Sequence, residues 1–318
     1  MLDTVIQGIL LGGYYAVLAA GLSLMFGVVR FINLAHGDLA IAGAYLVLFS
    51  VETWGISPWT AAVFVLPVMA LLGWVLQATL FARSIRGGGL LPLLTTFGLG
   101  AVLQNGLFGL FGSDTKSLGN HIGSLSWSSR QLPFNICLGD LSVITFISAV
   151  VILLVLQTIM TRTKLGRAIR ATASDPEAAE LSGIDAGKVH RAAAAIAVAL
   201  AGLAGIFLAM RALISPYSGP AQLIFAFEAV VIGGVGSLWG TLLGGIVLGV
   251  SQTLGSLISA QWFQLTGHLV FLGILGIRLF LAHSRSLGGW RTVFKLRRSQ
   301  GNRIGLPVSG QNPIKGQS

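Results

Sequence analysis

The chain has 318 residues, of which 54% are hydrophobic and only 9% charged, and its mean hydropathy is +0.84. Soluble domains carry about 25% charged residues, so this composition excludes a soluble fold of this size, which could not cover its surface. The formal net charge of +10 does not indicate nucleic acid, because the basic residues fall between and after apolar segments and form no single basic face.

Taken in chain order, the opening Met1-Leu2-Asp3-Thr4 lacks a basic leader, so the first apolar stretch reads as a retained span and not a cleaved signal. A membrane crossing needs about 20 apolar residues. Stretches that meet this are predicted near 5–27, 59–82, 90–112, 141–160, 192–210, 238–258 and 264–282. Two shorter apolar pieces, 37–50 and 222–235, are bounded or broken by glycines and read as short or re-entrant segments. The predicted fold is all-α, a polytopic transmembrane helical bundle of about 8–9 membrane segments filling residues 1–288. Residues 289–318 are basic and rich in Gly, Ser and Pro, and read as a disordered cytoplasmic tail drawn to anionic lipid headgroups.

Counting both short pieces as crossings and placing the N-terminus outside leaves only Lys116, Arg130 and Arg211 in outer loops, with Arg278 in the last span. Every other Lys and Arg of the 20 then falls on the inner side. That asymmetry predicts a multi-pass plasma (inner) membrane protein with its N-terminus outside and its C-terminus in the cytoplasm.

Glycine supplies 43 residues, an excess that lets transmembrane helices approach closely. Gly8 and Gly12, Gly236, Gly240 and Gly244, and Gly245 and Gly249 recur every four residues, which predicts glycine-lined packing faces, a subunit interface or path lining being the alternative. The cluster Gly233, Gly234 and Gly236 falls where a short segment must turn, a place where broken helices expose backbone to substrate.

The one long inner loop, 161–191, carries Gly166-Arg-Ala-Ile-Arg-Ala-Thr-Ala-Ser-Asp-Pro-Glu-Ala-Ala-Glu-Leu-Ser-Gly-Ile-Asp185. Ser174 or Asp175 can cap a helix here, Pro176 suits its first turn, and Glu177 would complete a capping box with Ser174. Glu177 and Glu180 meet the helix dipole favourably, Ala178 and Ala179 continue the turn, and Gly183 can end it in a left-handed conformation. A helix of about 8 residues, about 12 Å long, is predicted. Such a knob suits docking to a soluble partner; an ordinary interfacial loop helix is the alternative.

Ionisable and amide groups inside spans are costly and tend to be functional. Glu228 is the only charge in 222–235, and Gln104 and Asn105 sit within the span near 90–112. Each can line a path or bond between helices. Asn33, His36 and Asp38, with Gly37, cluster at an inner helix start, where Asp38 or Asn33 can cap and no metal is needed. His121, His190, His268 and His283 are scattered without ligand spacing. The lone Cys137 permits no intrachain disulfide and no cysteine zinc cluster. Leu181-Ser182-Gly183 and Gly187-Lys188 are short echoes of ATPase motifs that lack the strand–loop–helix context and spacing of a nucleotide site.

The 166–185 loop resembles the cytoplasmic loop by which ABC importer permeases engage their ATPase. Gly21 to Tyr45, with Asn33, Ala35, His36, Gly37, Gly43, Ala44 and Tyr45, resembles the signature of the branched-chain amino acid (LIV-type) permease family. Further matches are Thr95 to Gly100 with Gln104-Asn105, Ala201-Gly202 with Ala204-Gly205, Pro216 with Gly219, and Ala226 to Ser237. The resemblance spans about residues 5–285. Two positions depart from it: Gln252, where the family pattern has Glu, and Arg285-Ser286-Leu287-Gly288, where Arg-Pro-x-Gly is usual.

The resemblance implies a permease subunit without catalytic residues or cofactor, moving branched-chain or other hydrophobic amino acids. It implies two ABC ATPase subunits docked on Ser174 to Glu180 and Gly183, a second related permease subunit, and an external substrate-binding protein, with lipid around the bundle and no nucleic acid. ATP binding would close the ATPase pair and open the pathway outward, and hydrolysis would return it. Gln104, Asn105, Glu228, Gly233, Gly234, Gly236 and Gln252 are the candidate path residues. Urea or short amides are the alternative substrates within the family. An ion-coupled secondary transporter would need more ionisable residues near the midplane than Glu228 and Arg278, and a passive channel would leave the loop helix without a purpose.

Overall fold

The structure is a computed structural model that describes residues 1–132 and 136–301, with side chains for 1–131 and 137–281. It is an all-α polytopic bundle. The elements are α1 (Leu2–Val29), α2 (His36–Trp54), α3 (Pro58–Leu76) continuing through a π-helical turn (Gln77–Phe81) into α4 (Ala82–Gly87), and α5 (Leu91–Phe111). They continue with a hairpin of β1 (Ser129–Leu132) and β2 (Ile136–Gly139), then α6 (Asp140–Arg162), α7 (Lys164–Ser174), α8 (Pro176–Leu181) and α9 (Ala186–Arg211). The last are α10 (Gly219–Gly233), α11 (Leu238–Ser256) and α12 (Trp262–Gly301).

Among the described residues seven helical stretches are long and apolar enough to cross a membrane, and they coincide with the seven predicted spans. Two run further than predicted. The π turn carries the second span to Gly87. The fifth begins at Ala186, because Asp185 accepts the Lys188 N–H and starts the helix ahead of its apolar run. The hairpin has no counterpart in the sequence reading. α12 continues to Gly301, so 289–301 is helical in backbone, and the rest of the predicted tail, 302–318, lies outside the described residues.

α1 is the axis of the bundle, with 89% of its most apolar window buried against 11% for α5. It is flanked by α11, α9, α6 and α10. Glycines make the closest of these contacts possible. A Cβ on Gly12 would stand 2.5 Å from Ile246 Cα, and one on Gly245 would stand 2.5 Å from the Gly12 carbonyl oxygen. Gly8 and Gly249 close the same α1–α11 seam, Gly240 and Gly244 face α10, and Gly43 meets Gly202 where α2 crosses α9. Gly236 is the exception to the predicted four-residue face: it lies outside the helix, at φ +80°, with open space where a Cβ would be. The outer surfaces of α3, α5 and α6 expose Val63, Phe64, Phe97, Val102, Leu110 and Ile147, an apolar exterior suited to lipid and not to water.

The two short segments are not plain crossings. His36, at the start of α2, donates from Nε2 to the Leu18 carbonyl at 3.0 Å, and Leu18 is about 16 Å from the C-terminal end of α1 by helical rise. α2 therefore begins inside the bundle, after a non-helical lead-in from Arg30. α10 begins there too, because Gly219 is packed against Gly37 and Asp38. Both helices thus have buried N-termini, which meet.

Candidate functional site

Around that meeting point lies a layer of polar side chains contributed by α1, α2, α5, α10, α11 and α12. Asp38 is 4% exposed and accepts from Gln104 Nε2 at 2.9 Å, lying against Gly100 and Gly219, where any side chain would collide with it. It does not cap α2, although its negative charge sits at the positive end of the helix dipole. The turn into α2 is made by Asn33, whose Oδ1 accepts the N–H of Ala35, the residue just before the helix, at 3.0 Å. Gly37 admits α10, since a Cβ there would strike the Gly219 carbonyl.

A second part of the layer runs from α1 to α12. Tyr14 donates to Gln222 Oε1 and Tyr15 to Gln252 Oε1, both at 2.6 Å. The Tyr15 ring lies 5.4 Å from Phe225, whose ring stacks on His268 with an interplanar angle of 10°. His268 Nδ1 in turn donates to Glu228 Oε1 at 2.5 Å. Glu228 and Gln252 thus stand on either side of one aromatic stack. Among the described residues Glu228 Oε2 and Gln252 Nε2 are buried without a partner: one is an acceptor and the other a donor. Such a pair offers complementary contacts to a small zwitterion, ammonium to carboxylate and carboxylate to amide N–H.

Asn105 does not join this layer; its Nδ2 donates to Ala101 of its own helix on an exposed face. Gly233 packs against Gly240 in the α10–α11 seam. Gly234 and Gly236, at φ +94° and +80°, form the break after α10, where the Gly236 N–H donates to Ser23 Oγ at 3.1 Å. This break opens on a cavity of about 380 Å³ that Ser23, Ile169, Arg170, Gly236 and Trp239 line, and so it touches the α7 helix of the inner loop.

In that loop α7 ends at Ser174 and Asp175 takes the extended conformation, φ −148° and ψ 104°. Its Oδ1 accepts the N–H groups of Glu177 at 3.0 Å and Ala178 at 3.1 Å. Asp175 is therefore the cap, and the predicted capping box of Ser174 with Glu177 does not form. The cause is Pro176, which disfavours the helical conformation in the residue before it. α8 has 6 residues, shorter than the predicted 8. It closes with Gly183 at φ +81°, the Gly183 N–H bonding Glu180 and the Ile184 N–H bonding Ala179, a Schellman ending. Ala179 is buried while Pro176, Glu177, Ala178 and Glu180 are exposed. Arg30, at φ +59°, reaches from the end of α1 to the carbonyls of Ala173 at 2.6 Å and Ser174 at 3.3 Å. The central helix and the loop are thereby tied. Beyond α8 the Lys188 backbone N–H holds the Asp185 carboxyl below the usual aspartate range.

A family profile described as "Branched-chain amino acid transport system / permease component" matches residues 4–277. The chain belongs to this family. Among relatives of the permease, the high-affinity branched-chain amino acid transport system permease protein BraD of Pseudomonas aeruginosa is 27% identical over 90% of this chain and 95% of its own length. LivH of Escherichia coli K12, of the same description, is 27% identical over 80% and 86%. LivM of the same organism is 27% identical over 76% of this permease and 61% of its own length.

Sequence reasoning placed Glu228, Gln252 and Gln104 among the path candidates of the permease and Asp38 at a helix start as a cap, but missed Tyr14, Tyr15, Phe225 and His268. Tyrosines in an apolar run read as core, and His268 has no ligand at short spacing because its partner is 40 residues away. Arg30 was counted only as an inner charge. Its position just past the end of an apolar helix was the available signal.

Proposed function

We infer that the permease is the membrane subunit of an ATP-driven importer that translocates branched-chain or other hydrophobic amino acids. Two ATPase subunits dock on 174–183, a second related permease completes the pore, and an external binding protein delivers the solute. The N-terminus is outside and the coupling loop inside. The observation that carries this reading is the capped, exposed α8 joined through α7 and Arg30 to the bundle's central helix, a path along which a soluble engine can displace a membrane element. The family and the BraD and LivH relatives support the solute class. Substrate passes between Glu228 and Gln252 and leaves past the Gly234–Gly236 break.

The test is uptake into vesicles that hold the permease with its co-expressed partners. Accumulation of a branched-chain amino acid that needs ATP on the loop side and binding protein on the other supports the reading. The Glu228–His268 pair favours one alternative, ion-coupled transport, and uptake driven by a proton gradient without ATP would establish it instead.

A further inference from the structure

The chain holds a second cavity, of about 400 Å³, apart from the path and on the loop side of the bundle. Its floor is the π-helical turn, and Gln77, Arg86, Pro176, Glu180, His190 and Arg191 line it. Gln77 is 1% exposed and sits within an apolar span, and among the described residues its Oε1 has no partner. An unsatisfied buried acceptor is costly, so the site is built for something that brings a donor. The Arg191 guanidinium lies over the Trp74 ring at 5.4 Å, and its buried Nε also has no partner among the described residues. Arg86 is exposed at the rim. Among the described residues Glu180 is the one carboxylate on the wall, while Asp185 nearby is engaged by Lys188 at 3.3 Å.

The wall therefore offers two guanidiniums and an imidazole for an anion, and a carboxylate with an amide carbonyl for a hydrogen-bond donor. Depth and surroundings narrow the ligand. Gln77 lies about 15 Å inside the end of its helix by helical rise, and on the same span Leu71, Trp74 and Val75 are 61%, 45% and 40% exposed. A ligand seated here has an apolar strip beside it running into the bilayer. Basic pockets between helices at a cytoplasmic membrane surface bind lipid headgroups.

We propose that this cavity binds the headgroup of an inner-leaflet phospholipid that joins a phosphate to a hydrogen-bond donor, ethanolamine ammonium or glycerol hydroxyl. The phosphate lies between Arg86 and Arg191 and the donor meets Gln77 Oε1 and Glu180. The lipid thereby bridges the second span and the coupling helix α8. Its placement on the inner leaflet rests on the topology proposed above, whereas the binding itself does not.

The test is lipid retention by the full-length permease, purified with its partners, delipidated and returned to phosphatidylethanolamine, phosphatidylglycerol or phosphatidylcholine, with bound lipid read by native mass spectrometry. Phosphatidylcholine carries the phosphate but no donor. Ethanolamine or glycerol lipid should be retained about fivefold over choline lipid, one net hydrogen bond being of that order. Arg86→Gln should lower the retention of all three lipids, and Glu180→Gln should narrow the preference. Equal retention of all three lipids, or no change in Arg86→Gln, overturns the proposal. Displacement by soluble glycerophosphoethanolamine, with no lipid preference, assigns the site to a cytosolic phosphodiester and overturns it as well. No ATP or solute is present, so this result stands apart from that of the uptake assay.

Discussion

A Cβ placed on Gly12 would meet backbone, Ile246 Cα at 2.5 Å, and not the yielding tip of a side chain. Close-packed interiors leave no room to absorb such an atom. Gly12→Val should therefore cost the folded permease about 1–3 kcal/mol or more and lower its unfolding temperature in detergent. Gly98, on α5 with open space around it, supplies the contrast, and Gly98→Val should leave the unfolding temperature unchanged; equal effects at the two positions would refute the packing role of the seam. Glu228 poses the opposite problem, because its interest is chemical. Glu228→Gln keeps an oxygen to accept from His268 Nδ1–H and preserves the volume. Yield and unfolding temperature should hold while uptake drops about tenfold, the equivalent of one lost charged contact. A loss of folded protein in step with uptake would make the carboxylate structural.

At the scale of elements, α8 shows how far local sequence rules reach. Pro176 and Gly183 mark its two ends in the sequence, and both ends are where those residues put them. Of the two candidate caps, Ser174 and Asp175, it is Asp175 that caps, because the constraint that proline imposes on its predecessor outweighed the capping-box spacing of Ser174 with Glu177. The buried starts of α2 and α10 were not legible in the same way. Hydropathy reports how apolar a segment is, and glycines report that it is interrupted, but depth is set by partners: Leu18 for His36, Gly37 for Gly219. The aromatic stack between Glu228 and Gln252 joins three helices, Gln252 adds a fourth, and no window of sequence contains it. The coupling loop lends itself to a pair of variants. Asp175→Ala removes the cap and should loosen α8 by about 1 kcal/mol, reducing ATP-driven uptake while the bundle stays folded. Arg30→Gly removes the clamp on Ala173 and Ser174 but also frees a residue held at φ +59°, a conformation that glycine adopts without strain. Its unfolding temperature should stay level or rise as uptake falls and ATP hydrolysis continues, a separation that a merely stabilising arginine could not give. Uptake equal to wild type in Arg30→Gly would show that force does not travel by that contact.

For the whole molecule, the two ends of α1 divide the loops into two sets. At its N-terminal end Asp3 Oδ1 accepts the Cys137 N–H at 2.9 Å and Gln7 donates to the Cys137 carbonyl, which fixes the β1–β2 hairpin there. Glu52, near the end of α2, pairs with Lys116 at 3.4 Å, and Lys116 also pairs through its backbone with Ile214 after α9. At the other end Arg30 holds α7. The hairpin and the coupling loop consequently lie at opposite ends of one buried helix, and the topology proposed above puts the coupling-loop end in the cytoplasm. Cys137 makes this directly measurable, since it is the single cysteine of the sequence and its side chain is exposed. A membrane-impermeant maleimide should label the unmodified permease in right-side-out vesicles and fail to label it in sealed inside-out vesicles until detergent is added. The reverse pattern would place the hairpin in the cytoplasm and the coupling loop outside, where no ATPase could reach Asp175 or Pro176. No substitution is needed, so a negative result cannot be blamed on a damaged protein.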